Sequence, residues 1–159
     1  MKNKYDIFSD FLERVVEIVG ITLLVLMVII IGVQVFCRYF LNFTPSWSED
    51  LSLLFMIWFS FLGIALGVKR DTHLSIEFFF NRLSKNFQRF ITDFNYILIL
   101  FFSYILFTRG IILVRMTLNS KMPSLKVPTS VLYIVIPIMS VIIIIFLIQK
   151  FIKNFYGGD

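Results

Sequence analysis

The sequence has too few of the residues on which most metal and redox sites depend. It contains one histidine and one cysteine in 159 residues. A single histidine excludes a bis-histidine haem site and an HExxH zinc site, and a single cysteine excludes an internal disulfide and CxxC chemistry. A glycine-rich phosphate loop, a GxSxG motif and paired carboxylates within the apolar stretches are also missing. We therefore expect a non-enzyme with no catalytic residue, metal or cofactor on this chain.

Charged residues are scarce as well. They make up 16% of the chain, against roughly a quarter in soluble domains, whereas 58% of the residues are apolar and the mean hydropathy is +0.89. The net charge of +5 comes from small groups of cations between apolar stretches, with no basic run and no nucleic-acid-binding motif. Such cations indicate contact with lipid headgroups rather than with nucleic acid. The composition predicts a small integral membrane protein.

Four apolar stretches are long enough to be membrane helices, since a crossing needs about 20 residues. Three of them, residues 18–37, 51–68 and 127–149, carry no charge; the fourth, 94–108, lies in a longer apolar pattern. None alternates at every second residue, as barrel strands would. We predict an all-α integral membrane protein, with residues 1–159 as one membrane domain. The predicted helices cover about residues 15–37, 50–68, 90–112 and 127–150.

The connection between the second and third helices has a helical period of its own. Its apolar residues recur at spacings of three and four, and they are Ile76, Phe80, Leu83, Phe87 and Phe90. Its cations share another face, and they are Arg82, Lys85 and Arg89. This pattern predicts an interfacial helix over residues 75–89, with aromatic rings among acyl chains and cations among headgroups. In the alternative interpretation, the segment is the beginning of the third helix and its rings pack on neighbours.

The orientation follows from Lys and Arg, which are enriched on the cytoplasmic side of membrane proteins. Ten of these residues lie in the two termini and the 69–89 connection, and five lie at the opposite ends of the helices. We therefore expect both termini in the cytoplasm.

Two groups of residues stand out at the ends of the helices. The first group lies between the first two helices and consists of Arg38, Tyr39, Trp47 and Glu49. These residues are typical of an aromatic belt beside a helix start capped by Ser46 or Ser48. They can also form a fixed contact, in which Arg38 pairs with Glu49. The two interpretations are compatible.

The second group lies in the second half of the second helix and just after it, and it consists of Trp58, Gly63, Gly67, Arg70 and His73. Gly63 and Gly67 form a small-xxx-small face, which lets another helix approach closely. His73 could be a ligand or a proton relay, although a lone histidine at an interface more often caps a helix or contacts headgroups.

Taken in order, these motifs resemble the small, DctQ-like membrane subunit of tripartite ATP-independent periplasmic (TRAP) transporters. The matching motifs are Arg38-Tyr39, Trp47-x-Glu49, Trp58-x-x-Phe61-Leu62-Gly63, Arg70-x-x-His73 and the entry to the last helix from Pro128 through Tyr133 to Pro137. The resemblance covers about residues 15–145. Two positions differ, because Asp50 and Thr72 stand where the family often has Glu and Gly.

The resemblance implies a small subunit that braces a large permease subunit, one to one, in the bacterial inner membrane. It further implies that sodium and substrate bind to the large subunit. A periplasmic binding protein would deliver an organic acid such as a C4-dicarboxylate, sialic acid or another carboxylate. The residues singled out between Arg38 and His73 would then be structural or would contact the large subunit, and those of the 75–89 segment would contact lipid.

Two other classes of protein remain open. A self-sufficient four-helix exporter is expected to carry a glutamate within the membrane, and the membrane anchor of a redox complex is expected to carry axial histidines. The four apolar stretches contain neither residue type.

Overall fold

The computed structural model of the chain describes residues 4–70 and 85–156. Within these ranges the chain forms five helices and no strand. The helices are α1 (Lys4–Phe40), α2 (Trp47–Lys69), α3 (Lys85–Thr117), α4 (Ser130–Tyr133) and α5 (Val135–Tyr156). Four segments are long and apolar enough to cross a membrane, namely Ile7–Phe40, Trp47–Lys69, Phe90–Thr117 and Ser130–Phe151. The predicted all-α architecture with four membrane-spanning helices is confirmed.

Helix α1 is much longer than the predicted segment 15–37. Its 37 residues extend about 55 Å at 1.5 Å per residue, whereas a hydrocarbon core is about 30 Å thick. In the additional turns near the N-terminus, Asp10, Glu13 and Glu17 recur at spacings of three and four and therefore share one face of the helix. These acids turn one polar face toward cations at the end of α2.

Helix α3 begins earlier than the predicted residue 90. Residues 85–89 form its first turns, so this part of the predicted interfacial helix is continuous with the membrane helix. The half-exposed ring of Phe87 stacks on Phe90 with 6.4 Å between ring centroids. The rest of the predicted interfacial helix, including Phe80 and Arg82, lies outside the described residues, and so do the side chains of Lys85 and Arg89.

The last membrane span is divided into α4 and α5, with a break at Ile134. Pro137 explains the break, because its ring nitrogen carries no hydrogen and the carbonyl three or four residues earlier loses a donor. The Ile138 amide still donates to the Ile134 carbonyl, at a long 3.5 Å. The span therefore begins with a short irregular helix rather than with a continuous one.

The core lies where α5 packs against α2 and α3. Phe146 and Leu147 of α5 are fully buried, and Ala65 of α2, also fully buried, allows the helices to come close. Helix α1 packs mainly on α2, where a Cβ at Gly20 would lie 3.7 Å from the Cβ of Leu62. Since lipid tails are as apolar as leucine, close packing of this kind stabilises the assembly more than exclusion of water does.

Candidate functional site

The residues at the beginning of α2 do not form the predicted ion pair. Arg38 and Glu49 are both exposed, and within residues 4–70 and 85–156 no salt bridge joins them. Tyr39 is 76% exposed, and Trp47 is the first residue of α2. Both aromatic rings are therefore placed as in a membrane belt.

The predicted serine cap at this helix start is also not formed. Ser46 occupies the N-cap position but makes no side-chain hydrogen bond to the helix. The buried Ser48 hydroxyl instead donates 2.6 Å to the carbonyl of Pro45. The turn before α2 is thus stabilised by the Ser48 hydroxyl, which donates to a backbone carbonyl. In a serine N-cap, by contrast, the hydroxyl oxygen would accept a hydrogen bond from a backbone amide of the helix.

Asp50, the neighbour of Glu49, makes a contact that was not predicted from the sequence. Its carboxylate Oδ2 accepts hydrogen bonds from the backbone amides of Ser124, at 2.9 Å, and Leu125, at 3.2 Å. This contact joins the first turn of α2 to the loop between α3 and α4. Charge-assisted hydrogen bonds to backbone amides are stronger than neutral ones, so Asp50 fixes the loop as well as complementing the positive end of its helix.

The loop that Asp50 holds, residues 118–129, is itself ordered by backbone hydrogen bonds. The Met122 amide donates to the Val127 carbonyl at 2.9 Å, and the Thr129 amide donates to the Ser120 carbonyl at 2.8 Å. Lys126 has a φ of 55°, a left-handed conformation that tight turns use. The loop could not be predicted as a structural element from the sequence, because Asp50, which anchors it, lies 74 and 75 positions away from its two partners.

Trp58 connects two of the motifs that the sequence analysis singled out. Its indole Nε1 donates a hydrogen bond of 3.0 Å to the carbonyl of Val131 in α4. Pro128 and Pro137 flank this carbonyl in the sequence, so the tryptophan meets the irregular entry to the last span. A buried indole N–H requires a partner, and the proline-bearing entry provides an accessible carbonyl.

A polar cluster lies at the opposite end of α2, where Lys69 and Arg70 face the extension of α1. We call it the α2-end cluster, and its members are Ser9, Asp10, Glu13, Glu17, Lys69, Arg70 and Gln149. Arg70 Nε lies 2.9 Å from Glu13 Oε1, and Arg70 Nη2 lies 2.8 Å from Glu17 Oε2. The hydrogen bond to Glu13, followed by that to Glu17, raises the pKa of Arg70 above its ordinary value. The arginine therefore stays cationic throughout the physiological range.

Lys69 joins the α2-end cluster to α5. Its Nζ donates 2.7 Å to Ser9 Oγ and 2.5 Å to Gln149 Oε1, and it lies 5.3 Å from the centroid of the Phe146 ring. Three membrane helices thus meet around one ammonium group. The sequence analysis noted Arg70 but not its partners, although the spacing of acids in α1 was a usable signal. His73 lies outside the described residues.

The glycine face of α2 is not used within the chain at Gly63. Among residues 4–70 and 85–156, no atom beyond its own stretch of helix lies within 4 Å of the place where a Cβ at Gly63 would stand, and the residue is exposed. Gly67 is half-buried. A tight glycine contact is found instead at Gly110 of α3, where a Cβ would lie 3.0 Å from Pro137 Cδ. Gly110 was not singled out from the sequence, because its partner is a residue of another helix.

These contacts tie the helices together, and the apolar stretches 18–37, 51–68, 94–108 and 127–149 contain no Asp, Glu, Lys, Arg or His. In the part of the chain that the structure describes, no three His, Cys, Asp or Glu residues are grouped so that they could hold a metal ion. The fold therefore defines a multi-pass membrane protein whose polar contacts connect its own helices.

Comparison with known proteins identifies the family. Residues 27–157 match the family model of tripartite ATP-independent periplasmic transporters, DctQ component. The chain belongs to this family, the small permease subunits of TRAP transporters, as the sequence motifs predicted.

Several curated relatives agree with this assignment. A Haemophilus influenzae (strain Rd) protein, whose name places it among the TRAP small permeases, is 28% identical over 151 residues, 93% of this chain and 92% of its own. The sialic acid TRAP transporter small permease protein SiaQ of Vibrio cholerae is 29% identical over 72 residues, 45% of this chain and 42% of its own. The sialic acid TRAP transporter permease protein SiaT of Haemophilus influenzae (strain 86-028NP) is 26% identical over 89 residues, 56% of this chain but 14% of its own length.

Proposed function

We propose that this chain is a non-catalytic scaffold subunit that braces a large TRAP permease subunit in a one-to-one complex. The complex takes up an organic acid, a C4-dicarboxylate, sialic acid or another carboxylate, which a periplasmic binding protein delivers. Sodium drives the uptake and binds to the large subunit, and this chain carries no cofactor of its own.

The observation that carries this proposal is the lack of charge in the membrane-crossing stretches. Residues 18–37, 51–68, 94–108 and 127–149 contain no Asp, Glu, Lys, Arg or His. A carboxylate or a sodium ion near the bilayer midplane needs ionic partners or exposed helix ends to offset its lost hydration. A chain without such groups is suited to supporting transport by another subunit.

The contacts that hold α2 against its neighbours support a static role for this chain. Its first turn is held through Asp50, its middle through Trp58 and its last turn through Lys69. Contacts at three levels along one helix oppose a sliding motion of that helix against its neighbours. A subunit built in this way can serve as a fixed support against which a mobile permease domain moves.

The SiaT relative supports direct contact with a large permease. The segment similar to this chain makes up 14% of that permease protein, so a related sequence forms part of a longer permease polypeptide. Domains that are covalently joined in one protein commonly pack together when they are separate chains in another. The names of the SiaT and SiaQ relatives also favour an acidic sugar or a similar carboxylate as the class of substrate.

We place the chain in the bacterial inner membrane with both termini in the cytoplasm, on the basis of the ten-to-five distribution of cations. One reporter that is active only in the periplasm is fused after Asp159, and another is inserted within residues 119–126. We expect activity from the internal fusion alone. Activity from the C-terminal fusion with silence from the internal one would reverse the orientation.

Co-purification tests the partnership. The chain, carrying an affinity tag, is produced together with a large TRAP permease subunit from the same organism, and the purified complex is weighed by native mass spectrometry. We expect one copy of each subunit. Isolation of the chain alone in several detergents that keep the permease folded would contradict the proposal.

A further inference from the structure

Arg109 is a cation inside a membrane-crossing helix. It belongs to the span Phe90–Thr117, and its side chain is exposed. Helix α3 continues beyond it through residues 110–117, which extend about 12 Å at 1.5 Å per residue. The loop that follows is held by Asp50 in the first turn of α2, so α3 ends where α2 begins. Arg109 therefore lies about two helical turns inside this edge of the bundle.

The distance to the opposite edge places Arg109 at the same depth. Its neighbour Gly110 packs on Pro137 of α5, and Gln149 of α5 accepts a hydrogen bond from Lys69 at the end of α2. Residues 137–149 extend about 18 Å. The two distances, about 12 Å and about 18 Å, together match a hydrocarbon core of about 30 Å. Arg109 thus lies well within the membrane and not at its surface.

The chain supplies no counter-charge for Arg109. Within residues 4–70 and 85–156, no hydrogen bond or ion pair joins it to another side chain. The acids of the α2-end cluster lie at the far end of α2, and Asp50 accepts from the loop amides. Asp93 lies about 24 Å away along α3. A charge at this depth loses part of its hydration and needs an anionic partner.

The surroundings of Arg109 are apolar and uncovered. We call them the Arg109 face, whose members recur at spacings of three and four along α3 and are exposed, namely Leu98, Phe101, Ile105, Arg109, Ile112 and Met116. Gly110, which packs on α5, is turned about 100° from Arg109. The Arg109 face is therefore a long apolar stripe with one cation, whereas a substrate site would gather several polar groups in a cavity.

We propose that a membrane helix of the large permease packs on the Arg109 face and that a carboxylate of that helix pairs with Arg109. The guanidinium group is suited to such a pair, because it is planar, weakly hydrated and binds a carboxylate through two parallel hydrogen bonds. The inference rests on the proposed partnership with a large permease, and it assigns the surface and the chemistry of the contact.

A lipid phosphate matches this position less well. Arg115 lies two residues before the end of α3, where a long side chain extends readily to the headgroups. Arg109 would have to cover about 12 Å, more than two turns of helix. A carboxylate on a neighbouring helix can lie at the same depth as Arg109. The SiaT relative, in which a similar segment is part of a longer permease polypeptide, also favours a protein neighbour.

The affinity for the large permease tests the proposal. The full-length chain and a large TRAP permease subunit from the same organism are purified, and their dissociation constant is measured in lipid nanodiscs. We expect Arg109→Leu to weaken association about tenfold or more, because the partner carboxylate loses its counter-charge. Arg109→Lys keeps the charge and should retain most of the affinity. Arg115→Leu, the same change near the end of the helix, should weaken association less than about threefold.

Thermal unfolding of the purified chain is the control for folding. Since Arg109 makes no hydrogen bond or ion pair within the described residues, Arg109→Leu should leave the melting temperature unchanged. If this variant bound the permease as tightly as the unmodified chain, the inference would be overturned and the proposed partnership would stand. A complete lack of association by the unmodified chain would overturn both.

Substitutions in the permease identify the carboxylate. Each Asp or Glu in its membrane-crossing stretches is changed to Asn or Gln, and affinity is measured with the unmodified chain and with Arg109→Leu. One of these changes should weaken binding of the unmodified chain and cause no additional loss with Arg109→Leu, as expected for two members of one pair. If none weakens binding, or if every loss adds to that of Arg109→Leu, no such pair exists.

Photo-crosslinking in cell membranes tests the surface without changing Arg109. The full chain carries p-benzoylphenylalanine at position 105, on the Arg109 face, or at position 104, and is produced together with the large permease. Tyr104 is 62% exposed and lies about 140° from Arg109 around α3. We expect an adduct with the permease from position 105 and with phospholipid from position 104. A phospholipid adduct from position 105 would show that this face meets the bilayer and would contradict the proposal.

Discussion

The indole of Trp58 and the carbonyl of Val131 are joined by a 3.0 Å hydrogen bond across 73 positions of the sequence. This bond connects the middle of α2 with α4 and gives the partly buried indole N–H an acceptor. Replacing Trp58 by Phe should leave the carbonyl unsatisfied and cost about 1–3 kcal/mol of stability, beyond any loss of packing. The measurement is thermal unfolding of the purified chain. Trp47→Phe, at a residue that is 42% exposed, is the control and should change the melting temperature little; equal effects of the two variants would contradict the assignment.

Asp50 and Glu49 are adjacent acids with different roles. Asp50→Asn keeps the size of the side chain but weakens its acceptance of the Ser124 and Leu125 amides, and should cost about 1–3 kcal/mol. Glu49→Gln, at an exposed residue, should cost less than about 0.5 kcal/mol. Hydrogen exchange of residues 118–129 is the direct measurement, and we expect faster exchange in the Asp50 variant alone. If the Glu49 variant loosened this loop as much, the contact would have been assigned to the wrong acid.

The contribution of Arg70 to stability should not depend on pH in the neutral range. Its hydrogen bonds to Glu13 and Glu17 raise the pKa of Arg70 in the folded state. A raised pKa stabilises the fold below the pKa of the unfolded state and is lost only as the pH rises through the folded value, which lies far above neutrality. The side chain is 47% exposed, so Arg70→Gln should cost only about 0–1 kcal/mol. The difference in melting temperature between this variant and the unmodified chain should stay constant from about pH 6 to about pH 9; a difference that disappears within this interval would show that another group carries the effect.

Substitutions at Gly110 and Gly63 distinguish packing within the chain from packing against a partner. Gly110→Leu drives a side chain into Pro137 and should cost about 1–3 kcal/mol or more through overpacking. Gly63→Leu adds a side chain at a place that no other element of the described structure approaches within 4 Å, so the isolated chain should be nearly unaffected. The same Gly63 variant should weaken association with the large permease, measured by co-purification yield. Unchanged yield for Gly63→Leu would assign this face of α2 to lipid.

The four membrane spans could be predicted from the sequence because an uncharged run of about 20 apolar residues has few other stable structures. The extension of α1 could not be predicted, because hydropathy marks only the apolar part of a helix, whereas Glu13 and Glu17 in its polar part bind Arg70 of another helix. The pair predicted for Glu49 is with Arg38, and it is not formed. Both Glu49 and Asp50 are located at the start of α2 by the sequence, but only the folded position of the 118–129 loop brings its amides to Asp50.

The contacts of the glycines and of Asn95 also required the assembled helices. The spacing of Gly63 and Gly67 identified a surface on which a helix can pack, yet the tight contact in the chain is between Gly110 and Pro137. Asn95 is one polar residue in a long apolar pattern, and it lines a cleft between α2 and α3 only because of the way α2, α3 and α5 pack. Helix pairing in a membrane depends on local fit more than on composition.

Reconstituted transport tests the central claim most directly. The chain, the large permease and the binding protein are combined in liposomes in all subsets, with and without an inward sodium gradient, and entry of radiolabelled sialic acid and of a labelled C4-dicarboxylate is measured. Our account predicts no entry with this chain alone, and entry only when all three proteins and the gradient are present. Uptake by this chain alone, or undiminished uptake when it is omitted, would contradict its role as a scaffold subunit.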